Sequence, residues 1–322
     1  MSPVTTTTLV EQIRRLVAYP RQRLKAWFPT GLPRWLWTLF QVLALALAVI
    51  GVVYAWREFP PDVAVAPVFL GSALGLYALA FLMHLLGWHS LTRIFFGRLT
   101  FAENAQALAG SNLVKYLPTV VWYIANRSHF YHQRGVAQQR VVIASLSELA
   151  LMVGSGAVLL AALWVGRTFA PFAGGLLGLV GLGVLIWALA RHAGGSQQAS
   201  LGHWSLALLW YGGSWPVGVL IVWSLLRALV PVSFADLPTL AEFWLLAGLA
   251  SYTMSLTLGT IGIMREITLT MLLAQYWPLP VALAAAIMVK LVLTLGEVGL
   301  SLLILGGLRL WPHDRPKGGA RE

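Results

Sequence analysis

Seven charged residues of this chain sit inside or beside long apolar stretches: the cations Lys115, Arg127, Arg265 and Lys290, and the carboxylates Glu148, Glu266 and Glu297. A charge at bilayer depth costs at least about 2.5–3.5 kcal/mol on insertion scales, so each needs a partner or a task. Glu148 shares one helical face with Ser145 at i−3 and Ser155 at i+7, and Lys290, Thr294 and Glu297 share another at i, i+4 and i+7. Both polar stripes are expected to point into a helix bundle. Arg265 and Glu266 follow Gly259 and Gly262 at the start of a short helix. Neighbours on a helix diverge by about 100°, so these two are expected to take separate partners. Two chemistries fit the set. Buried ion pairs would hold a bundle together, because removing one partner of such a pair costs about 3–5 kcal/mol. Alternatively, with four cations against three carboxylates, a cation near a broken helix would grip a phosphate, which arginine binds through two parallel hydrogen bonds.

Other chemistry is poorly represented. His129-x-x-His132 has no third ligand nearby, so no metal site is expected. The absence of cysteine excludes disulfides, thiol catalysis and thiolate metal sites. No phosphate-binding glycine loop, nucleophile elbow or zinc-protease motif occurs, so neither a cofactor nor an ATP site is expected. Glu242 is the sole candidate for a catalytic carboxylate at a membrane–water boundary.

The elements that must position these residues are membrane helices. The 322 residues are 58% hydrophobic and 10% charged, with a mean hydropathy of +0.76, against about 25% charged in a soluble domain. Crossing a hydrocarbon core takes roughly 20 apolar residues. Spans are expected at Leu36 to Trp56, Ala64 to Trp88, Val141 to Val165, Ala170 to Ala190, Trp204 to Leu226 and Val281 to Leu308, with Pro216 kinking the fifth. Two further regions, 99 to 126 and 240 to 277, are apolar but broken, the first at Lys115 to Pro118 and the second at Gly259 to Gly262. They read as re-entrant helical hairpins, since irregular backbone at membrane depth must be buried or line a polar cavity. Thr100-x-x-Glu103 has the form of a capping box that starts the first hairpin.

Charge sets the orientation. Of the Lys and Arg residues in this arrangement, 17 fall on one side and only Arg57, Arg167 and Arg227 on the other. Both termini are therefore expected to be cytoplasmic. The +11 formal charge is thus an orientation signal and not a nucleic-acid footprint. The order is two spans, a hairpin and one span, then the same series again. Three crossings per unit place the second unit upside down, the inverted-repeat plan of many secondary transporters. The expected fold is an all-α polytopic membrane protein, with a basic interfacial segment at 1–35, one transmembrane domain at 36–310 (repeats 36–166 and 167–310) and a basic cytoplasmic tail at 311–322.

The run Lys115-Tyr116-Leu117-Pro118-x-x-Val121-Trp122, followed by Arg127, Gly135 and Glu148, resembles a signature of the flippase-like family typified by the transmembrane region of lysylphosphatidylglycerol synthase. Gly259-x-x-Gly262-x-x-Arg265-Glu266, then Lys290-Leu291-x-x-Thr294-x-x-Glu297, resembles its second signature. The sequence departs at Thr119 and Asn126, where glycine is usual, and in lacking a proline at the second break. The resemblance implies movement of an amphiphilic lipid, a phospholipid or a polyprenyl-linked glycan, between leaflets of a bacterial-type cytoplasmic membrane. Lys115, Arg127, Glu148, Arg265, Glu266, Lys290, Thr294 and Glu297 would contact the substrate, with Pro118, Gly259 and Gly262 as hinges. The synthase's aminoacyl transfer belongs to an additional domain that this sequence lacks, so no such transfer is expected. The alternatives are a membrane enzyme of envelope glycolipid assembly, or an accessory subunit beside a glycosyltransferase.

Overall fold

Proline opens two of the long apolar helices, at Pro67 and Pro171. At the first helical position its missing N–H would have had no intrahelical partner in any case. The computed structural model describes residues 65–97, 99–114, 121–192, 201–258 and 264–310, together with Arg57. The described residues form α1 (Pro67–Phe95), α2 (Phe101–Val114), α3 (Val121–His132), α4 (Gln138–Thr168), α5 (Pro171–His192), α6 (Leu201–Arg227), a 3-10 turn (Phe234–Asp236), α7 (Leu237–Leu258), α8 (Met264–Leu273) and α9 (Leu279–Leu310). No strand occurs among them.

Five of these helices, α1, α4, α5, α6 and α9, are long and apolar enough to cross a membrane, as a multi-pass membrane protein requires. They coincide with five of the six expected spans. The sixth, Leu36 to Trp56, lies outside the described residues, as do the 1–35 segment, the 311–322 tail, Lys115, Pro118, Gly259 and Gly262. The two broken regions each form a pair of packed helices, α2 with α3 and α7 with α8. Their arms run further than expected, since α3 continues to His132 and α7 starts at Leu237. The Thr100–Glu103 capping box is present: the Thr100 N–H donates to Glu103 Oε2 at 2.9 Å and the Glu103 N–H to Thr100 Oγ1 at 3.2 Å. α6 continues through Pro216 without a break.

α1 and α6 run antiparallel along their whole length. The Ala66 N–H donates to the Ala228 carbonyl at 3.0 Å at one end, His84 meets Tyr211 edge-on at 5.6 Å in the middle, and Phe95 meets Trp204 at 5.9 Å at the other end. A glycine makes this approach possible, because a β-carbon on Gly87 would lie 2.8 Å from the Tyr211 ring. Apart from those made by α5 and the 3-10 turn, the other packed pairs among the described residues come in twos. α1 packs on α2 as α6 does on α7, and α3 packs on α4 as α8 does on α9. Likewise α2 packs on α9 as α7 does on α4, α1 on α4 as α6 on α9, and α1 on α9 as α6 on α4. Exchanging α1 with α6, α2 with α7, α3 with α8 and α4 with α9 leaves this packing scheme unchanged.

Candidate functional site

The first helix pair carries a closed charge centre. Arg127 on α3 is 2% exposed and forms an ion pair with Glu148 of α4. Its Nε donates to Ser111 Oγ on α2 at 3.0 Å, and its guanidinium lies 4.0 Å from the Trp88 ring centre on α1. The Tyr211 hydroxyl donates to the other Glu148 oxygen at 3.2 Å. Five helices therefore converge on one salt bridge, which satisfies both charges in a site where an unpaired one would be very costly. Gly87 contributes directly, because the close α1–α6 contact it permits delivers Tyr211 to Glu148.

The second pair carries a looser centre in which the short helix brings both signs, Arg265 and Glu266. In the first half the cation is on the short helix and the carboxylate on the long one that follows. In the second half Glu266 is on α8 and Lys290 on α9, with Nζ 3.9 Å from Glu266 Oε1. Arg265 joins the same oxygen, Nη2 at 2.7 Å and Nε at 3.2 Å. This corrects the expectation that Arg265 and Glu266 take separate partners. The 100° divergence applies to their Cα–Cβ directions, whereas a guanidinium on three methylenes reaches back across the first turn of α8. Arg265 also lies 5.5 Å from the Trp244 ring centre. Its side chain is 24% exposed and that of Lys290 is 35% exposed, against 3% for Arg127. Glu266 Oε2 is buried and accepts no hydrogen bond from the described residues.

Between the two centres, Tyr252 of α7 lies within electrostatic range of Arg265, Glu148 and Glu297, and Tyr123 of α3 within range of Glu148, Arg127 and Tyr252. The structure thus places Arg127, Glu148, Arg265, Glu266, Lys290 and Glu297 on the second helices of the two broken regions and on the long helices α4 and α9 that pack on them. Glu297 is 6% exposed, and Thr294 one turn earlier is half-buried. Ser145 and Ser155 of the α4 stripe are both buried. Ser155 Oγ donates to the Met152 carbonyl at 3.2 Å, and Glu148 takes its partners from other helices.

Sequence reasoning missed the polar network under the first pair. Trp88 Nε1 donates to the Tyr131 hydroxyl at 2.8 Å, which donates to Asn104 Oδ1 at 2.7 Å. Asn104 Nδ2 then reaches Thr92 Oγ1 at 2.9 Å and His89 Nδ1 at 2.7 Å. The available signal was Asn104 in the α2 arm, one of three amides there with Gln106 and Asn112. Elsewhere, Glu242 is bound by Arg167 at 2.6 Å near one end of the bundle, and no group of three or more His, Asp or Glu residues that could hold a metal ion occurs among the described residues. No protein-family model and no curated protein sequence matches the chain.

Proposed function

We propose that this chain is a lipid translocase of a bacterial-type cytoplasmic membrane, gripping the phosphate of a phospholipid or polyprenyl-linked headgroup between its two broken helix pairs. One observation carries the reading. Arg265 and Lys290 share a single oxygen of Glu266 and keep their side chains partly exposed, beside a helix break in a strongly apolar chain. Arg127, the cation of the first pair, is locked in a fully satisfied pair. A planar guanidinium that can turn from Glu266 to a phosphate offers two parallel donors. Glu266 holds the cations in place when no anion is bound.

The packing exchange supports an inverted repeat. A two-fold relation that swaps the antiparallel helices α1 and α6 must run across them, which for spanning helices means within the membrane plane. Six spans and two re-entrant pairs would fit that arrangement, and the distribution of Lys and Arg favours cytoplasmic termini. Alternate exposure of the central charges to the two sides would move a headgroup across while its acyl chains stay in lipid. With no ATP motif in the sequence, the movement is downhill or coupled to an ion.

The test is reconstitution. In vesicles carrying fluorescent phospholipid in both leaflets, a membrane-impermeant quencher should bleach about half of the signal without protein and substantially more with it. Bleaching equal to the protein-free control for every anionic phospholipid and polyprenyl phosphate tried would remove the translocase reading.

A further inference from the structure

Glu266 uses its two oxygens unequally. Oε1 accepts from Arg265 Nη2 at 2.7 Å and Nε at 3.2 Å, and Lys290 Nζ lies 3.9 Å from it. Oε2 is buried and accepts no hydrogen bond from the described residues. An ionised oxygen without a donor is costly away from water. The charge on Glu266 is thus held through Oε1, and its main holder is the arginine that the proposed function sends to a phosphate. We infer that Glu266 takes up one proton, at Oε2, when an anionic headgroup engages Arg265, so that lipid and proton are carried together. The inference rests on the headgroup reading and names the ion to which the movement is coupled.

Charge balance points the same way. Arg127, Arg265 and Lys290 stand against Glu148, Glu266 and Glu297, three charges of each sign among the described residues of α3, α4, α8 and α9 that carry the two centres. A phosphodiester brings one further negative charge to a depth where net charge is expensive. One proton on a carboxylate restores the balance. Glu148 is poorly placed to take it, since Arg127 binds one of its oxygens and Tyr211 the other. Glu266 also stands in the first turn of α8, where the positive end of the helix favours its ionised form. A phosphate brought there by Arg265 competes for that same end.

The ionisable groups facing Glu266 come from α8 itself and from the two helices packed with it, α7 and α9. Arg265 is on α8. α9 supplies Lys290 and Glu297, and α7 supplies Tyr252, which lies within electrostatic range of Arg265 and Glu297, as well as Glu242, which Arg167 holds at 2.6 Å. An ammonium and a phenol already carry their protons, so Glu297 is the rival acceptor. The step is acid–base chemistry alone. The Arg265 N–H groups leave Oε1 for phosphate oxygens, an acid in solution gives up a proton, and an O–H bond forms at Oε2 while Lys290 stays beside Oε1. Release of the phosphate on the other side returns Arg265 to Oε1 and the proton to water there. Headgroup and proton then cross with no net charge.

Binding of a short-chain phosphatidylglycerol to the purified protein, measured by calorimetry in buffers of different ionisation enthalpy, counts the protons exchanged. A phosphodiester does not titrate between pH 6 and 8, so any proton counted belongs to the protein. The parent should take up close to one proton per bound lipid, and its affinity should weaken as pH rises, by up to about tenfold per unit. Glu266→Gln should take up none and lose the pH dependence, whereas Glu297→Gln and Glu266→Asp should keep both. Lipid binding by the parent without proton uptake overturns the coupling and leaves the headgroup reading standing. Uptake that persists in Glu266→Gln and vanishes in Glu297→Gln overturns the assignment to Glu266. The parent's count needs no variant, so a Glu266→Gln protein that fails to fold still leaves the coupling open to refutation. Absence of binding in every buffer removes the headgroup reading and the coupling with it.

Discussion

Arg127 lies between an acid and an aromatic face: it pairs with Glu148 and its guanidinium sits 4.0 Å from the centre of the Trp88 ring. The arginine is 2% exposed, so neither charge can fall back on water when the other is removed. Arg127→Ala should destabilise the protein by about 3–5 kcal/mol, seen as a large drop in the unfolding temperature in detergent. Glu148→Gln should be milder than Glu148→Leu, because the amide carbonyl still accepts from Arg127 and its NH2 can donate to a Tyr211 hydroxyl turned to accept. Glu148→Gln should also recover part of the Arg127→Ala loss. Independent, additive losses would show that the two side chains do not act as a pair.

Asn104 joins three helices through its amide, accepting from Tyr131 of α3 and donating toward Thr92 and His89 of α1. Asn104→Ala leaves a buried tyrosine hydroxyl without its acceptor and should cost about 1–3 kcal/mol. Tyr131→Phe leaves Trp88 Nε1 without its acceptor and Asn104 Oδ1 without its donor, and should cost a comparable amount. Hydrogen exchange in 101–114 and 121–132 should rise in both variants. If it is unchanged in Asn104→Ala, the amide does not tie the pair to α1.

The foot of α2 carries a pH-dependent contribution. Burial alone would raise the Glu103 carboxyl, but hydrogen bonds from the Thr100 N–H and hydroxyl, with Arg134 at 3.3 Å, hold it below its ordinary value. A carboxylate with a lowered folded-state pKa stabilises the fold fully above its unfolded value, about 4.3, and loses that contribution as pH falls through the folded value. Stability measured from pH 7 to pH 3 should therefore fall more steeply below about pH 4 in the parent than in Glu103→Gln. Parallel curves would show that the box adds no acid-sensitive stability.

Hydropathy made five spans legible because a run of apolar residues near 20 long has few other solutions in water or lipid. The division of each broken region into two helices was legible, although their arm lengths were not, because capping and packing set those ends. Gly135 illustrates this. It closes α3 at φ +78°, a left-handed conformation that glycine adopts without strain. The charge pairing was only half legible. Spacing showed which residues lie on interior faces, but Glu148 finds Arg127 from another helix, and Arg265 finds Glu266 because side-chain length overrides helical phase. The Trp88–Tyr131–Asn104 network was not legible. Its members are ordinary residues whose meaning comes from the packing of α2 on α1 and α3.

The central claim is that Arg265 serves a headgroup and not the fold. It is the more exposed arginine of the site, and it shares Glu266 Oε1 with Lys290. The most direct measurement compares lipid movement and thermal stability for the parent, Arg265→Lys and Arg265→Ala in the same reconstituted vesicles. Arg265→Ala should abolish movement with little loss of stability, and Arg265→Lys should slow it despite the retained charge, because lysine lacks the planar fork. Contradiction would be a loss of about 3–5 kcal/mol in Arg265→Ala, recovered by neutralising Glu266, with lipid movement restored in the double variant.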